Sequence, residues 1–255
     1  MINQIAKIKG ELVQRQSGYN ERLERLNQIA LEMLPEFGPY WHRHSVNTMR
    51  VETVARLLYY QELYQKIIEI PGVICEFGVQ YGATMSTLIN LRSIYEPFNY
   101  SRVIYGFDTF DGLRNVTSAD GALACDGDYA VVNKFEDRLS EILTLLEADS
   151  PCSHVKKFDL IKGDACECID GWLTDNPHAI VSMAIFDMDI YKPTKEVLKK
   201  IIPRLVKGSV LVFDELNFKA FPGETVAVNE VLGLNNLSLK RTPLQPHCAW
   251  TVFGT

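Results

Sequence analysis

No stretch of this sequence approaches the roughly 20 consecutive apolar residues that span a bilayer. Its first residues, Met1-Ile2-Asn3-Gln4-Ile5-Ala6-Lys7, lack the apolar core of a secretory signal. A cytoplasmic protein with no membrane partner is therefore expected. Basic residues are in deficit: 26 Lys and Arg against 32 Asp and Glu leave a net charge of −6, which argues against a nucleic-acid partner. The six cysteines (Cys75, Cys125, Cys152, Cys166, Cys168 and Cys248) hold one close pair, and no second pair completes a zinc set. Reduced thiols are expected. His42 and His44 have no Cys or carboxylate beside them and belong on a surface turn after Pro39. A dinucleotide fingerprint is also missing. After the first strand-like run only Gly78 and Gly82 stand, at the wrong spacing for Gly-x-Gly-x-x-Gly.

What is present fits one large domain with an appendage. Residues 1–34 read as a polar helical arm, with Leu23, Leu26, Ile29, Ala30 and Met33 at helical spacing and a break at Pro35, Gly38 and Pro39. A second helix is expected over 46–69, with Val51, Val54, Ala55, Leu58 and Leu63 facing inward, ended by Pro71-Gly72. Together they make residues 1–70 a helical N-terminal extension and 71–255 the main domain. From Val73 the rhythm becomes strand, glycine turn, helix. Strands are predicted at 73–77, 102–107, 158–161, 180–186 and 209–213, with a terminal hairpin of 237–241 and 249–253. Helices are predicted at 83–93, 132–146, from 165, 194–202 and 225–232. Residues 111–129 form a polar, glycine-rich insertion, expected to act as a lid. Such alternation predicts an α/β fold, a mostly parallel sheet with helices on both faces. Ligands then bind beyond the carboxyl ends of the strands. Glu76, Asp108, Asp164, Asp187 and Asp214 all fall at or just past predicted strand ends, so they should share one rim.

Carboxylates at the ends of buried strands are costly without a task or a partner. Glu76-Phe77-Gly78 followed by Gly82 makes an acidic, glycine-opened turn. S-adenosylmethionine carries an ammonium and a sulfonium and no phosphate, so it suits this turn better than a dinucleotide does. A glycine turn made only for packing is the alternative. Asp108, in Phe107-Asp108-Thr109-Phe110-Asp111-Gly112, is placed to accept ribose hydroxyls or to cap a turn. Asp164 either faces the adenine amino group or N-caps the next helix.

The acceptor side is read from Phe186-Asp187-Met188-Asp189-Ile190-Tyr191-Lys192-Pro193-Thr194 and Phe213-Asp214-Glu215. Crowded carboxylates raise one another's pKa unless a cation neutralises them, and hard oxygen ligands suit Mg²⁺ or Ca²⁺. Capping or solvated roles are the alternative, above all for Asp189 and Glu215. Asn217, Lys219 and Glu224 lie on the loop expected over the site. Lys219, Arg241 and His247 are candidates for diphosphate contact, and each taken singly also reads as a solvated surface group.

These motifs, with Pro203-Arg204-Leu205 and Pro222-Gly223-Glu224, resemble the TylF/MycF/NovP-related family of O-methyltransferases from about Glu76 to the C-terminus. The resemblance implies a Rossmann-like class I methyltransferase, a seven-stranded sheet with an antiparallel last strand, and homo-oligomers (a dimer or higher). It also implies Mg²⁺-assisted methyl transfer to a sugar hydroxyl, in a branch associated with nucleotide-linked deoxysugars. By position it makes Asp187 the catalytic base. Glu76, Gly78, Gly82, Asp108, Asp164 and Asp187 become cofactor residues, and Asp187, Asp214 and Glu215 metal ligands. Asp189, Tyr191, Asn217, Lys219, Glu224 and His247 become substrate contacts. Family members often carry two aspartates where this chain has Asp214-Glu215. Ile190 stands where catechol-type enzymes place a lysine. The other readings of the same residues are a different small acceptor, polyketide-derived or phosphorylated, or a catalytically silent scaffold.

Overall fold

The computed structural model describes residues 4–8, 11–15 and 18–254. The chain divides into two compact units, Met1–Leu57 and Leu58–Thr255. Among the described residues no helix is long and apolar enough to cross a membrane.

In the first unit, β1 (Gln4–Ile8) and β2 (Glu11–Arg15) pair as an antiparallel hairpin. Helices α1 (Tyr19–Phe37) and α2 (Trp41–His44) follow, then the start of α3 (Val51–Ile67). The helix expected over 1–34 is thus corrected to one that begins at Tyr19; residues 1–3, 9–10 and 16–17 of that expectation lie outside the described residues. The apolar spacing that suggested a helix starts only at Leu23. The two short runs before it flank Gly10, a turn signal between strands. The helix also runs past Pro35 and stops at Gly38. His42 and His44 are exposed on α2, and all six cysteines are free.

The second unit contains β3 (Val73–Phe77), α4 (Ala83–Tyr95), β4 (Ile104–Asp108), α5 (Phe135–Ala148), β5 (Phe158–Lys162) and α6 (Ala165–Asp175). It continues with β6 (Val181–Phe186), α7 (Tyr191–Ile201), β7 (Leu205–Phe213), α8 (Gly223–Leu232), β8 (Lys240–Thr242) and β9 (Gln245–Val252). The sheet order is β5-β4-β3-β6-β7-β9-β8. The first five strands are parallel, and β9 runs antiparallel to both of its neighbours. The expected seven-stranded sheet with a reversed last strand is what forms.

Alternate residues of the central strands enter two separate cores, which is why these strands read as unbroken apolar runs. Ile74, Ile104, Met183, Val210 and Val212 pack with α3, α4 and α5 on one face. Cys75, Phe107, Ala184, Leu211 and Phe213 pack with α6, α7 and α8 on the other. The inner face of α3 is Tyr59, Tyr60, Leu63, Tyr64 and Ile67. Of the residues expected there, Leu63 is buried, whereas Val51, Val54 and Leu58 are exposed. Tyrosine can bury its ring when its hydroxyl finds a partner; the Tyr64 hydroxyl donates to Glu96 at 2.6 Å.

Two buried ionic clusters brace the edge of the sheet opposite the strand carboxyl ends. Glu147 pairs with both Arg92 and Lys157, all three nearly inaccessible. Arg102 pairs with Glu96 and donates to four further acceptors, the carbonyls of Ile67, Ile70 and Gly72 and the Ser182 hydroxyl.

Candidate active site

Strand register builds the site. Phe77 is level with Phe107 on one side and Phe186 on the other, and Phe186 with Phe213. Their rings stack in a row across β4, β3, β6 and β7, with centroids 4.8, 5.4 and 5.4 Å apart. In three of these strands aspartate comes next: Asp108, Asp187 and Asp214. Asp108, Asp187 and Asp214, three of the five acidic residues expected along one rim, thus each stand one residue beyond a floor of phenylalanine. Each of the four strands also leads into a non-glycine residue with positive φ: Gln80 (50°), Phe110 (57°), Asp189 (62°) and Asn217 (64°). Such a conformation costs about 1–2 kcal/mol per residue and collects at functional edges.

On the cofactor side, Asp108 organises the turn after β3. Its Oδ2 accepts from the Val79 and Gln80 backbone N–H groups at 2.6 and 2.8 Å, and its Oδ1 from Phe110 N–H at 2.5 Å. A carboxylate offers about four acceptor positions, and these three bonds leave about one of them. Glu76 is buried at the end of β3. Gly78 (φ 95°) and Gly82 (φ 78°) open the turn, and a Cβ on Gly82 would lie 2.3 Å from the Leu139 side chain. Asp164 resolves its two readings partly toward the cap. One oxygen accepts from Cys166 N–H at 2.9 Å as the N-cap of α6, and the other from the Asn115 amide at 3.2 Å. Burial, with Asp164 close by, pushes the Cys166 thiol up to about 12, so it stays protonated.

The two halves meet at Gly78. A Cβ there would lie 1.8 Å from the Asp187 carbonyl oxygen, while Asp187 N–H donates to Phe77 O at 2.8 Å. The cofactor turn and the start of the acceptor edge are thus in direct backbone contact. Gly78→Ala is expected to lose the stabilisation by S-adenosylhomocysteine in a thermal-shift assay. Overpacking and positive-φ strain together cost about 2–5 kcal/mol. A shift equal to that of the wild type would contradict this geometry.

On the acceptor side, Asp187 is half-buried and Asp189 buried. Asp214 Oδ1 accepts from the Cys248 thiol at 2.9 Å. Glu224 lies wholly inside the protein under this edge, with one oxygen accepting Glu215 N–H at 2.9 Å. Burial holds its carboxyl well above the ordinary carboxylate range. The Glu215 N–H opposes this, and the charges of Asp214, Glu215 and Asp189 reinforce it. Glu224 was expected to touch substrate; its burial makes it a support beneath the loop. Tyr191, also expected there, turns its hydroxyl toward Glu230 at 2.7 Å, between α7 and α8. Asn217 and Lys219 are exposed on the loop after β7, where Asn217 N–H is held by Thr225 Oγ1 at 2.9 Å. His247 is exposed with its ring 4.9 Å from that of Phe218 on the same loop.

Among the described residues no group of three or more His, Cys, Asp or Glu side chains is gathered to hold a metal ion. As placed, Asp187, Asp214 and Glu215 do not make the expected ligand set, and no step below runs through a metal. The acidic, glycine-opened turn does fit an adenosyl ligand that carries two positive charges.

Residues 41–245 match the family model of macrocin-O-methyltransferase (TylF). None of the curated proteins compared with the chain matches it. Among solved structures, one described as CalS11, calicheamicin methyltransferase, is 33% identical, with a TM-score of 0.90 over 100% of both chains. An apo structure described as CalS11, TDP-rhamnose 3'-O-methyltransferase, an enzyme in calicheamicin biosynthesis, is 33% identical. Its TM-score is 0.84, over 95% of this chain and 97% of that one. The O-methyltransferase NovP shares the fold at 17% identity and a TM-score of 0.58, over 78% and 79% of the two chains.

Proposed function

Because this chain belongs to the macrocin-O-methyltransferase (TylF) family, and is an S-adenosylmethionine-dependent methyltransferase, we propose that it methylates a sugar hydroxyl. The acceptor in this reading is a nucleotide-activated hexose or deoxyhexose, and the product serves polysaccharide or glycoside synthesis. Support for the acceptor comes from CalS11, alike over the full length of both chains and described as acting on TDP-rhamnose. The observation that supports the catalytic reading is the backbone contact of Gly78 with Asp187, which brings Asp187 directly against the glycine turn.

Bound S-adenosylmethionine supplies an electrophilic methyl group and leaves as a neutral thioether. Glu76 would face the cofactor's ammonium, Gly78 and Gly82 would let the backbone close on it, Asp108 would take a ribose hydroxyl, and Asp164 would border the adenine. Asp187 takes the hydroxyl proton as the acceptor oxygen bonds to the methyl carbon and the carbon–sulfur bond breaks. Its backbone shapes the cofactor turn while its side chain serves the acceptor. Asp189, Asn217, Lys219 and His247 line the acceptor mouth, with Tyr191 and Glu224 behind them. Asp214 and Glu215 follow the neighbouring strand, β7. Magnesium has its support in the resemblance alone, and turnover that survives excess EDTA would remove it.

The test is a panel of nucleotide sugars with methyl-labelled S-adenosylmethionine. TDP-rhamnose is expected to yield a labelled O-methyl sugar and S-adenosylhomocysteine. Failure of every nucleotide sugar, with the cofactor bound, would redirect the assignment to another small acceptor. Absence of stabilisation by S-adenosylhomocysteine would favour a silent scaffold. We place the protein in the cytoplasm, where S-adenosylmethionine is made. Homo-oligomerisation is part of the same proposal, supported by exposed Leu31, Tyr40, Trp41 and Val46 in the N-terminal unit.

A further inference from the structure

We propose that Asp120, in the insertion between β4 and α5, is a positioning residue for methyl transfer: it holds the starts of α7 and α8 together, and with them the acceptor edge. The proposal rests on Asp187 acting at the acceptor hydroxyl. Helix α7 begins four residues after Asp187, and its N-cap, Ile190, has no side chain to satisfy the first N–H groups. Asp120 does this from a distance of 71 residues in sequence: its Oδ1 accepts from Tyr191 N–H at 2.5 Å. Asp120 is completely buried, and its charge faces the positive end of a helix dipole. Its other oxygen accepts from Thr117 N–H at 2.6 Å and the Thr117 hydroxyl at 2.8 Å, closing a capping box inside the insertion.

Helix α8 abuts the same carboxylate. A Cβ on its first residue, Gly223, would lie 2.0 Å from Asp120 Oδ1 and 2.6 Å from Tyr191 N. Only glycine admits that approach, and the next residue is Glu224, which holds Glu215 N–H. The insertion is docked at a second point, where the Tyr129 and Phe221 rings lie 6.1 Å apart. One buried carboxylate therefore fixes the insertion, the turn carrying Asp187 and Asp189, and the loop after β7. In-line methyl transfer depends on that alignment.

Asp120→Asn keeps the volume but offers one acceptor oxygen in place of two, so Tyr191 or Thr117 loses its partner. Gly223→Ala strains the same junction from the other side. Three readouts are taken on folded protein: hydrogen exchange at the Tyr191 amide, S-adenosylhomocysteine affinity by calorimetry, and kcat with TDP-rhamnose. Both variants are expected to exchange at Tyr191 about tenfold faster or more. Their kcat is expected to fall about tenfold or more, with cofactor affinity within about twofold of wild type. Unchanged Tyr191 exchange overturns the proposal. So does wild-type kcat in both variants, or cofactor affinity falling in parallel with kcat, which would mark a general loss of structure. If the wild type does not methylate TDP-rhamnose, the acceptor assignment fails and exchange alone decides the role of Asp120. If one variant does not fold, the other carries the test.

Discussion

Asparagine in place of Asp187 is expected to lower kcat by about 10²–10⁴-fold, the range that a positioned general base contributes. S-adenosylhomocysteine should still bind with an affinity within about twofold of wild type. The split follows from how the residue is used. Its N–H and carbonyl belong to the junction with Phe77 and Gly78, and asparagine preserves both. Only the side chain's capacity to take a proton is lost. Calorimetry with the product cofactor and single-turnover assays separate the two effects. A variant that transfers methyl at the wild-type rate would take Asp187 out of the mechanism. One that loses cofactor binding would make its carboxylate part of the cofactor site.

Arg102→Met is expected to destabilise the protein by about 3–5 kcal/mol, the usual cost of stripping one partner from a buried ion pair. The guanidinium pairs with Glu96 through Nε at 2.9 Å and Nη2 at 3.0 Å. It also donates to the carbonyl of Ile70, beyond the end of α3, and to that of Ile67, which the Ile70 N–H reaches as well at 2.9 Å. Methionine fills the space but removes both guanidinium bonds from the buried Glu96 carboxylate, leaving it Tyr64 and Asn99, and strips the donor from the Ile70 carbonyl. A pH signature accompanies the loss. Burial works against ionisation of Glu96, but hydrogen bonds from Arg102 and Tyr64 outweigh it and hold its carboxyl below the ordinary range. A carboxyl so depressed contributes stability above its unfolded pKa, and that contribution fades as pH falls through the folded value. Urea titrations of the variant should therefore show a weaker dependence of stability on pH below about 4.5 than the wild type. Equal stability at neutral pH would refute the bracing role.

The sheet is legible in the sequence because its central strands are buried on both faces, so their apolar runs stand out. The carboxylate rim was legible for the same reason, since Asp187 and Asp214 end apolar runs. The phenylalanine floor was not, although Phe-Asp occurs at three strand ends, because register between strands is a long-range property. The N-terminal hairpin is hidden in the sequence because the helical spacing of Leu23 to Met33 says nothing of the residues before it. Asp120 left one local trace, Thr117-Ser118-Ala119-Asp120, a capping-box pattern. Its bond to Tyr191 comes from tertiary packing. Glu224 reads as a loop residue from the sequence because the Pro222-Gly223 pair beside it signals a turn, not the start of α8 that it makes. In the structure it is the second residue of that helix and points inward.

The central claim is that the glycine turn after β3 and the carboxylate after β6 together form one site for S-adenosylmethionine and its acceptor. Calorimetric titration of S-adenosylhomocysteine into wild type, Asp187→Asn and Gly78→Ala tests it most directly. The expected pattern is saturable binding by the first two proteins and none by folded Gly78→Ala. Undiminished binding by Gly78→Ala, or no heat from the wild type, would contradict it.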